Sequence, residues 1–309
     1  MLDKLEFLLL LARERHFGRA AEAAGVSQPT FSSAVKSLEE NLGTALVERG
    51  SRFRGFTAEG ERVLEWARRI VGDAHTMRRE LQSLKGNLSG QLRIGAIPTT
   101  LPFAPSLTVP FYERFPAVRL SVFSTTSVDI LARLENLEID IGISYIDNEP
   151  IGRMHAVPLY EEQYMLLVNS RSQLAHLDQI SWSHASKLPL CMLTPDTQTR
   201  RILDRILNNA GGGQTPTFES NSMMTLFSHV RTGHWMGIIP SRLMDNFERA
   251  RHLKMIPLHS PNIKKTIGLL TRGRQPHSPV VSAFVAVAQR MVQALGEAAG
   301  QASSQSAVD

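Results

Sequence analysis

The chain has 309 residues, 42% hydrophobic and 20% charged, the balance of an ordinary soluble globular protein with room for a small domain and one or two larger ones. Its formal charge of +5 suits a polyanion partner, yet the first 90 residues carry 14 Lys and Arg against 12 Asp and Glu, so no basic tail announces nucleic acid. A single cysteine, Cys191, excludes an intramolecular disulfide and a CxxC metal site, and the lack of a secretory pattern or a long apolar run leads us to expect a cytoplasmic protein with no membrane contact.

Leu5, Leu8, Leu9 and Ala12 recur at helical spacing and predict a first amphipathic helix, broken at Phe17-Gly18. A short second helix from Arg19 to Ala24 ends at Gly25, a residue suited to a left-handed turn. Ser27 stands as the N-cap of a third helix with Pro29 in its first turn; this helix reaches about Leu42 and buries Phe31, Val35 and Leu38. Its other face shows Gln28, Thr30, Ser32, Ser33, Lys36 and Ser37. Two short helices joined by a glycine turn, the second with an exposed polar face, form a helix-turn-helix suited to the major groove of double-stranded DNA. Gln and Thr can bond base edges, Ser and Thr reach phosphates, and Lys36 neutralises one. A solvated polar face is also what any small helical bundle presents. The next segment tips the balance, because Arg49, Arg52 and Arg54 lie in a Gly-bracketed loop shaped like a wing. The candidate DNA contacts are therefore Ser27, Gln28, Pro29, Thr30, Ser32, Ser33, Lys36, Arg49, Arg52 and Arg54, in a domain of residues 1–57.

Thr57 with Glu59 and Glu61 starts a helix that continues to about residue 85. Val63, Ala67, Ile70, Ala74, Met77, Leu81 and Leu84 step by 4, 3, 4, 3, 4 and 3, a repeat of 3.5 residues. That is the seam of a coiled coil, whereas a helix lying on its own domain would favour 3.6. Residues 58–90 thus read as a dimerisation helix and hinge, which would present two recognition helices to a pseudo-palindromic site.

After the break at 86–90, β-type runs alternate with helices: Gln91–Ile97, Arg119–Phe123, Ile139–Ser144, Tyr164–Val168, Leu188–Leu193, Met236–Ile239 and Thr266–Leu270. This alternation predicts an α/β domain over 91–296 with largely parallel sheets. Its strands end in small hydroxyl residues where helices begin: Thr99 and Thr100, Ser127, Thr194 and Ser222. Helix N-termini carry free N–H groups and partial positive charge at the carboxyl ends of strands, so these five residues are candidate contacts for a small anionic effector. Each is equally an ordinary helix cap. Arg200 reads as a surface residue, and Cys191 as a core residue rather than a redox sensor. Residues 297–309 lack apolar content and read as a disordered tail.

These segments resemble a known family. Phe17-Gly18-Arg19-Ala20-Ala21, Val26-Ser27-Gln28-Pro29-Thr30, Val35-Lys36-Ser37-Leu38-Glu39, Leu42-Gly43, Arg49 and Thr57-Ala58-Glu59-Gly60 are similar to the winged helix-turn-helix of LysR-type transcriptional regulators over about 60 residues. Two positions depart from that pattern: Ser33, often basic, and Val47, usually Phe. The rest resembles the family's effector domain, two periplasmic-binding-protein-like lobes with a cleft between them. Ile139-Asp140-Ile141-Gly142-Ile143, the crossover Pro158-Leu159-Tyr160-Glu161-Glu162 and Gly237-Ile238-Ile239-Pro240 carry the likeness, and Trp235 stands where glycine is usual. The resemblance implies a first lobe of about 91–161 and 266–296, a second of about 162–265, a homodimer that pairs into a tetramer, contact with RNA polymerase, and no cofactor beyond the effector.

Two other functional classes fit the sequence less well. No GxxxxGK[ST], GxGxxG, HExxH or GxSxG occurs, and the histidines are scattered, so a metabolic enzyme is disfavoured. A two-lobed solute-binding protein would need an export signal and no winged helix.

Overall fold

The computed structural model describes residues 1–48, 53–83, 88–212, 215–244, 252–273 and 277–305, and their side chains except those of 82–83 and 295–305. The chain forms two compact units, one of residues 1–86 with 135–138 and 276–279, the other of 87–134, 139–275 and 280–309.

In the first unit, α1 (Leu2–Glu14) ends at Arg15, whose φ of 48° is left-handed. His16 caps α2 (Phe17–Ala23), its Nδ1 accepting the N–H groups of Gly18 at 3.1 Å and Arg19 at 3.3 Å. The break therefore precedes Phe17-Gly18, because an imidazole cap, invisible to apolar periodicity, lets Phe17 begin the helix. Gly25 makes the left-handed turn into α3 (Gln28–Leu42), and Gly43 ends that helix in the same conformation. Leu8, Leu11, Phe31, Leu38 and Leu46 form a core that also takes in Leu64, Ala67 and Val71 of α4 (Ala58–Ser83). Residue 57 is thus no structural border. Gly60 shows why: a Cβ there would lie 2.0 Å from the Leu46 carbonyl oxygen, so only glycine lets α4 start this close to the preceding chain.

The second unit has two lobes. In the first, β1 (Gly90–Ala96) leads through a 3-10 turn (Pro98–Phe103) to α5 (Ala104–Arg114), β2 (Val118–Ser124), α6 (Ser127–Glu135) and β3 (Ile141–Tyr145), with β1 parallel to both β2 and β3. The long β4 (Met154–Asn169) then crosses to the second lobe. There β5 (Ile180–Ser181), α7 (Trp182–Ala185), β6 (Leu190–Leu193), α8 (Gln198–Asn209), β7 (Phe218–Ser220), α9 (Met223–Arg231), β8 (Met236–Pro240) and β9 (Leu253–His259) follow. β10 (Lys264–Arg272) returns to the first lobe, and α10 (Pro279–Gln305) closes the chain.

The strands run β2-β1-β3-β10-β4-β8-β6-β7, with β9 on β4 and β5 on β9. Residues 154–163 of β4 pair with β10, and 164–169 with β8 and β9, so the crossing falls at Gln163-Tyr164. Every pairing of β4 with β8, β9 or β10 is antiparallel, as is β3 with β10. The expectation of largely parallel sheets holds for β1 with β2 and β3, β6 with β7 and β8, and β5 with β9. It fails at the pairings of β4 and β10, since a strand that crosses between lobes and a strand that returns run in opposite directions. The sequence pattern showed only the far end of β4 because Pro158 interrupts it. Proline cannot donate to a ladder, and a register shift between Ile267 and Gly268 absorbs it. The expected disordered tail of 297–309 is corrected as far as Gln305, where α10 ends; residues 306–309 lie outside the described residues. Ala298, Ala299 and Ala302 have high helix propensity.

Candidate nucleic-acid interface and ligand cleft

The exposed polar face is built by α3. Ser27 accepts the Thr30 N–H at 3.4 Å, and their hydroxyls lie 2.8 Å apart, so the first turn is held before any contact is made. Gln28, Pro29, Thr30, Ser33 and Lys36 are exposed together, while Ser32 is half-buried at the flank. Lys36 has Glu40 at 3.8 Å, an exposed pair of little strength that a phosphate can displace. The wing root is tied to this helix: Glu39 Oε1 accepts the N–H groups of Leu46 (2.7 Å) and Val47 (3.1 Å), and Val47 bridges Phe56. Val47 is buried in the core of the first unit. Arg54 is exposed on the wing; Arg49 and Arg52 lie outside the described residues.

Helix α4 separates the expected seam residues into two faces. Ala67 is fully buried in the first unit's own core and Val63 is half-buried against it, so these two are not free for a partner. Ile70, Met77 and Leu81 are 46%, 55% and 55% exposed, and Trp66, which the heptad assignment missed, is 55% exposed beside them. Ala74 is intermediate, and Leu84 lies outside the described residues. The 3.5-residue repeat is real, but its first turns serve the core, and the open row runs through Trp66 instead.

Between the lobes, the first turn of α8 reaches the first lobe. Thr197 caps this helix, its Oγ1 accepting the Arg200 N–H at 3.4 Å and donating to the Thr194 carbonyl at 2.8 Å. Gln198 Oε1 accepts from Ser144 Oγ at 3.2 Å, and Thr199 Oγ1 meets Thr99 Oγ1 at 3.4 Å. Arg201 binds Glu149 through Nε and Nη2, both at 2.8 Å, and its Nη2 lies 3.3 Å from Ser127 Oγ. Those Arg201 hydrogen bonds hold the Glu149 carboxyl below its ordinary range. Ser127, Ser144, Tyr145, Glu149 and Gln198, with apolar Val128, Leu131, Ile151 and Leu270, line a cleft of about 320 Å³. That is the lower end of the roughly 300–1,000 Å³ typical of ligand sites.

Of the five expected effector residues, Ser127 lines this cleft and Thr99 joins the contact between lobes. Thr100 is buried with its hydroxyl donated to the Ile97 carbonyl at 3.0 Å, and Ser222 caps α9. Both are structural hydroxyls. Thr194 Oγ1 is buried with no partner among the described residues. Arg200 is buried rather than on the surface, pairing with Asp204 (2.7 Å) and Glu219 (2.6 Å). Reading α8 from Thr194 instead of its true cap Thr197 hid Gln198, Thr199 and Arg201. A cap three residues later moves the first turn, with the N–H groups it leaves free, to Gln198, Thr199 and Arg200.

Behind the cleft, Tyr164 donates to the Tyr145 hydroxyl at 3.2 Å, and Tyr145 donates to Glu162 Oε1. All three side chains are buried, and Glu162 Oε2 has no partner among the described residues. Burial raises the Glu162 carboxyl from 4.5 to about 8, against the opposing pull of the Tyr145 hydrogen bond. Cys191 is buried on β6, and desolvation pushes its thiol up to about 11. Trp235 belongs to a satellite cluster of the second lobe. It donates to Thr217 Oγ1 at 2.9 Å, near Phe218 and His229, and it does not line the cleft.

Residues 2–61 match the model of the bacterial regulatory helix-turn-helix protein, lysR family, and residues 85–293 match the LysR substrate binding domain. The chain is 32% identical over 275 residues, 88% of its length and 89% of the relative's, to a hydrogen peroxide-inducible genes activator of Dickeya chrysanthemi. It is 29% identical over 287 residues, 92% of each chain, to the DNA-binding transcriptional dual regulator OxyR of Escherichia coli K12. Among solved structures, a full-length cysteine-to-aspartate variant of OxyR from Pseudomonas aeruginosa matches with a TM-score of 0.72 and 26% identity, covering 94% of this chain and 97% of that one.

Proposed function

From the premise that the chain belongs to the LysR family of bacterial DNA-binding transcriptional regulators, we propose that α3 reads base edges while a small anion bound at the α8 cleft sets how its operator is bound. The observation that carries the effector reading is the meeting of Ser127 and Ser144 with Gln198 of α8 around one cleft, with Thr99 touching Thr199 beside it. A helix start and hydroxyl donors favour a carboxylate or oxyanion. A ligand that binds one lobe arrangement about 100-fold better shifts the equilibrium by roughly 2.7 kcal/mol. The change would pass along the chain from β1 to α4. The exposed α4 row supports a dimer, which pairs further into a tetramer; contact with RNA polymerase follows from the family reading alone. The site of action is the cytoplasm, where bacterial DNA lies.

The names of the relatives raise peroxide as a signal. Disulfide formation within the chain needs a second cysteine that this sequence lacks, and Cys191 is held as a buried, protonated thiol. The attacking species in thiol oxidation is the thiolate, so these properties favour a non-covalent effector.

On the DNA side, Gln28→Ala is expected to weaken a cognate site by about 1–3 kcal/mol while leaving random duplex unaffected. Arg54→Ala should weaken both alike and reduce the salt slope by about one unit. Fluorescence anisotropy over a salt series separates the two, and equal losses for Gln28→Ala on both duplexes would sink the base-reading assignment. On the ligand side, an anion found by thermal-shift screening should bind Ser127→Ala or Thr99→Val about tenfold more weakly by calorimetry. Unchanged affinity in both variants would move the site elsewhere.

A further inference from the structure

Among the described residues that line the cleft, Glu149 is the sole formally charged one, and it is an acid. An anion entering beside it would meet a carboxylate, while the cation that could receive the anion, Arg201, is already engaged. Arg201 is also fixed in place, since its Nη1 donates to the Asp196 carbonyl at 2.7 Å. Glu149, by contrast, sits in the loop between β3 and β4. That loop is anchored on one side by Asp147, whose Oδ2 accepts the Thr266 N–H at 2.8 Å, and on the other by the Met154 N–H donating to the Ile151 carbonyl at 3.3 Å. The intervening span 148–150 takes part in no β ladder, and its Asn148 has a buried Nδ2 with no partner among the described residues. A swing of this span breaks one ion pair and no sheet hydrogen bond.

Building on the effector reading of this cleft, we infer that Glu149 is a tethered surrogate for the effector's own carboxylate. The effector binds by displacing Glu149 from Arg201 and takes over the two-pronged contact, with the Ser127 hydroxyl beside it. The exchange trades one negative charge for one, so a monocarboxylate leaves the charge balance of the site unchanged. Val128, Leu131, Ile151 and Leu270 ask for an apolar body behind that carboxylate. Without ligand, Glu149 keeps α8 docked on the first lobe; with ligand, the loop of the first lobe is released while α8 stays neutralised. The effector therefore changes the tie between the lobes without leaving an unpaired charge in either state.

Calorimetric titration of the full chain with cyclohexanecarboxylate, cyclohexanecarboxamide and cyclohexylamine tests this. Glu149→Gln vacates Arg201 and should bind cyclohexanecarboxylate at least about tenfold tighter than the unaltered protein, the scale of a hydrogen bond to a charged group. Glu149→Asp keeps the charge but shortens the reach, and should fall between the two. Adding Arg201→Gln to Glu149→Gln should abolish the gain, and the carboxamide should show none. Equal carboxylate affinity in the unaltered protein and Glu149→Gln overturns displacement and leaves the cleft as the effector site. Binding of no carboxylate by either protein overturns both readings. Cyclohexylamine bound by the unaltered protein and lost in Glu149→Gln makes Glu149 the receptor for a cation, and likewise overturns displacement.

Discussion

Ile70→Asp is expected to convert the protein to a monomer at micromolar concentration without unfolding it. Trp66, Ile70, Met77 and Leu81 form an exposed row at intervals of 4, 7 and 4 residues along α4, the spacing of a coiled-coil seam. A row this apolar on a 26-residue helix is expected to pair with the same row of a second copy. In a two-fold seam the substitution sets two carboxylates near each other in apolar surroundings, where an unpaired charge costs several kcal/mol. The fold should survive because Ile70 is 46% exposed within its own subunit, while Leu64, Ala67 and Val71 face the core. Ala67→Asp is the informative contrast, for it should unfold the first unit outright. Sedimentation velocity with circular dichroism distinguishes the two variants. Loss of the second half-site contact should lower operator affinity by roughly 10²–10⁴-fold. A fully dimeric Ile70→Asp variant of unchanged stability would place the interface elsewhere.

The second large effect is a pH dependence centred on Glu162. Its carboxyl rises from 4.5 to about 8 on folding, so between those values the folded protein holds a proton that the unfolded chain releases. Stability from this group therefore falls as pH rises through that window, on the order of 1 kcal/mol per pH unit, and levels off above about 8. Glu162→Gln keeps an acceptor for Tyr145 and cannot ionise. Its stability relative to the unaltered protein should be near zero at pH 5 and grow steadily toward pH 8. Urea midpoints at several pH values give this difference directly, and all other titrating groups cancel in it. Parallel curves for the two proteins would mean that Glu162 is ionised throughout, with a counter-charge such as Arg242 brought to it.

The local rules of helix capping and apolar periodicity determined a good deal here. Ser27, Pro29, Gly25 and Gly43 specify the turn and both ends of α3, because caps and left-handed turns depend on neighbours only a few residues away. The polar face from Gln28 to Lys36 and the 3.5-residue repeat of α4 were likewise legible, since both express the helix's own geometry. Tertiary structure alone decided which half of that repeat is open. Ala67 and Ile70 look equivalent in the sequence, yet Leu46, Leu64 and Val71 enclose the first and leave the second in water.

The cleft shows the same division more sharply. Hydroxyls at strand ends are visible in the sequence, but whether one bonds a backbone carbonyl, as Thr100 does, or a residue of the other lobe, as Thr99 does, depends on a partner about a hundred residues away. Arg201 and Glu149 are 52 positions apart, and each alone is an ordinary surface charge. Only the crossing of β4 at Gln163-Tyr164, masked in the sequence by Pro158, brings the second lobe's α8 against the first lobe's loop. Secondary structure follows from contacts over a few residues. The cleft follows from long-range packing, and no local pattern encodes it.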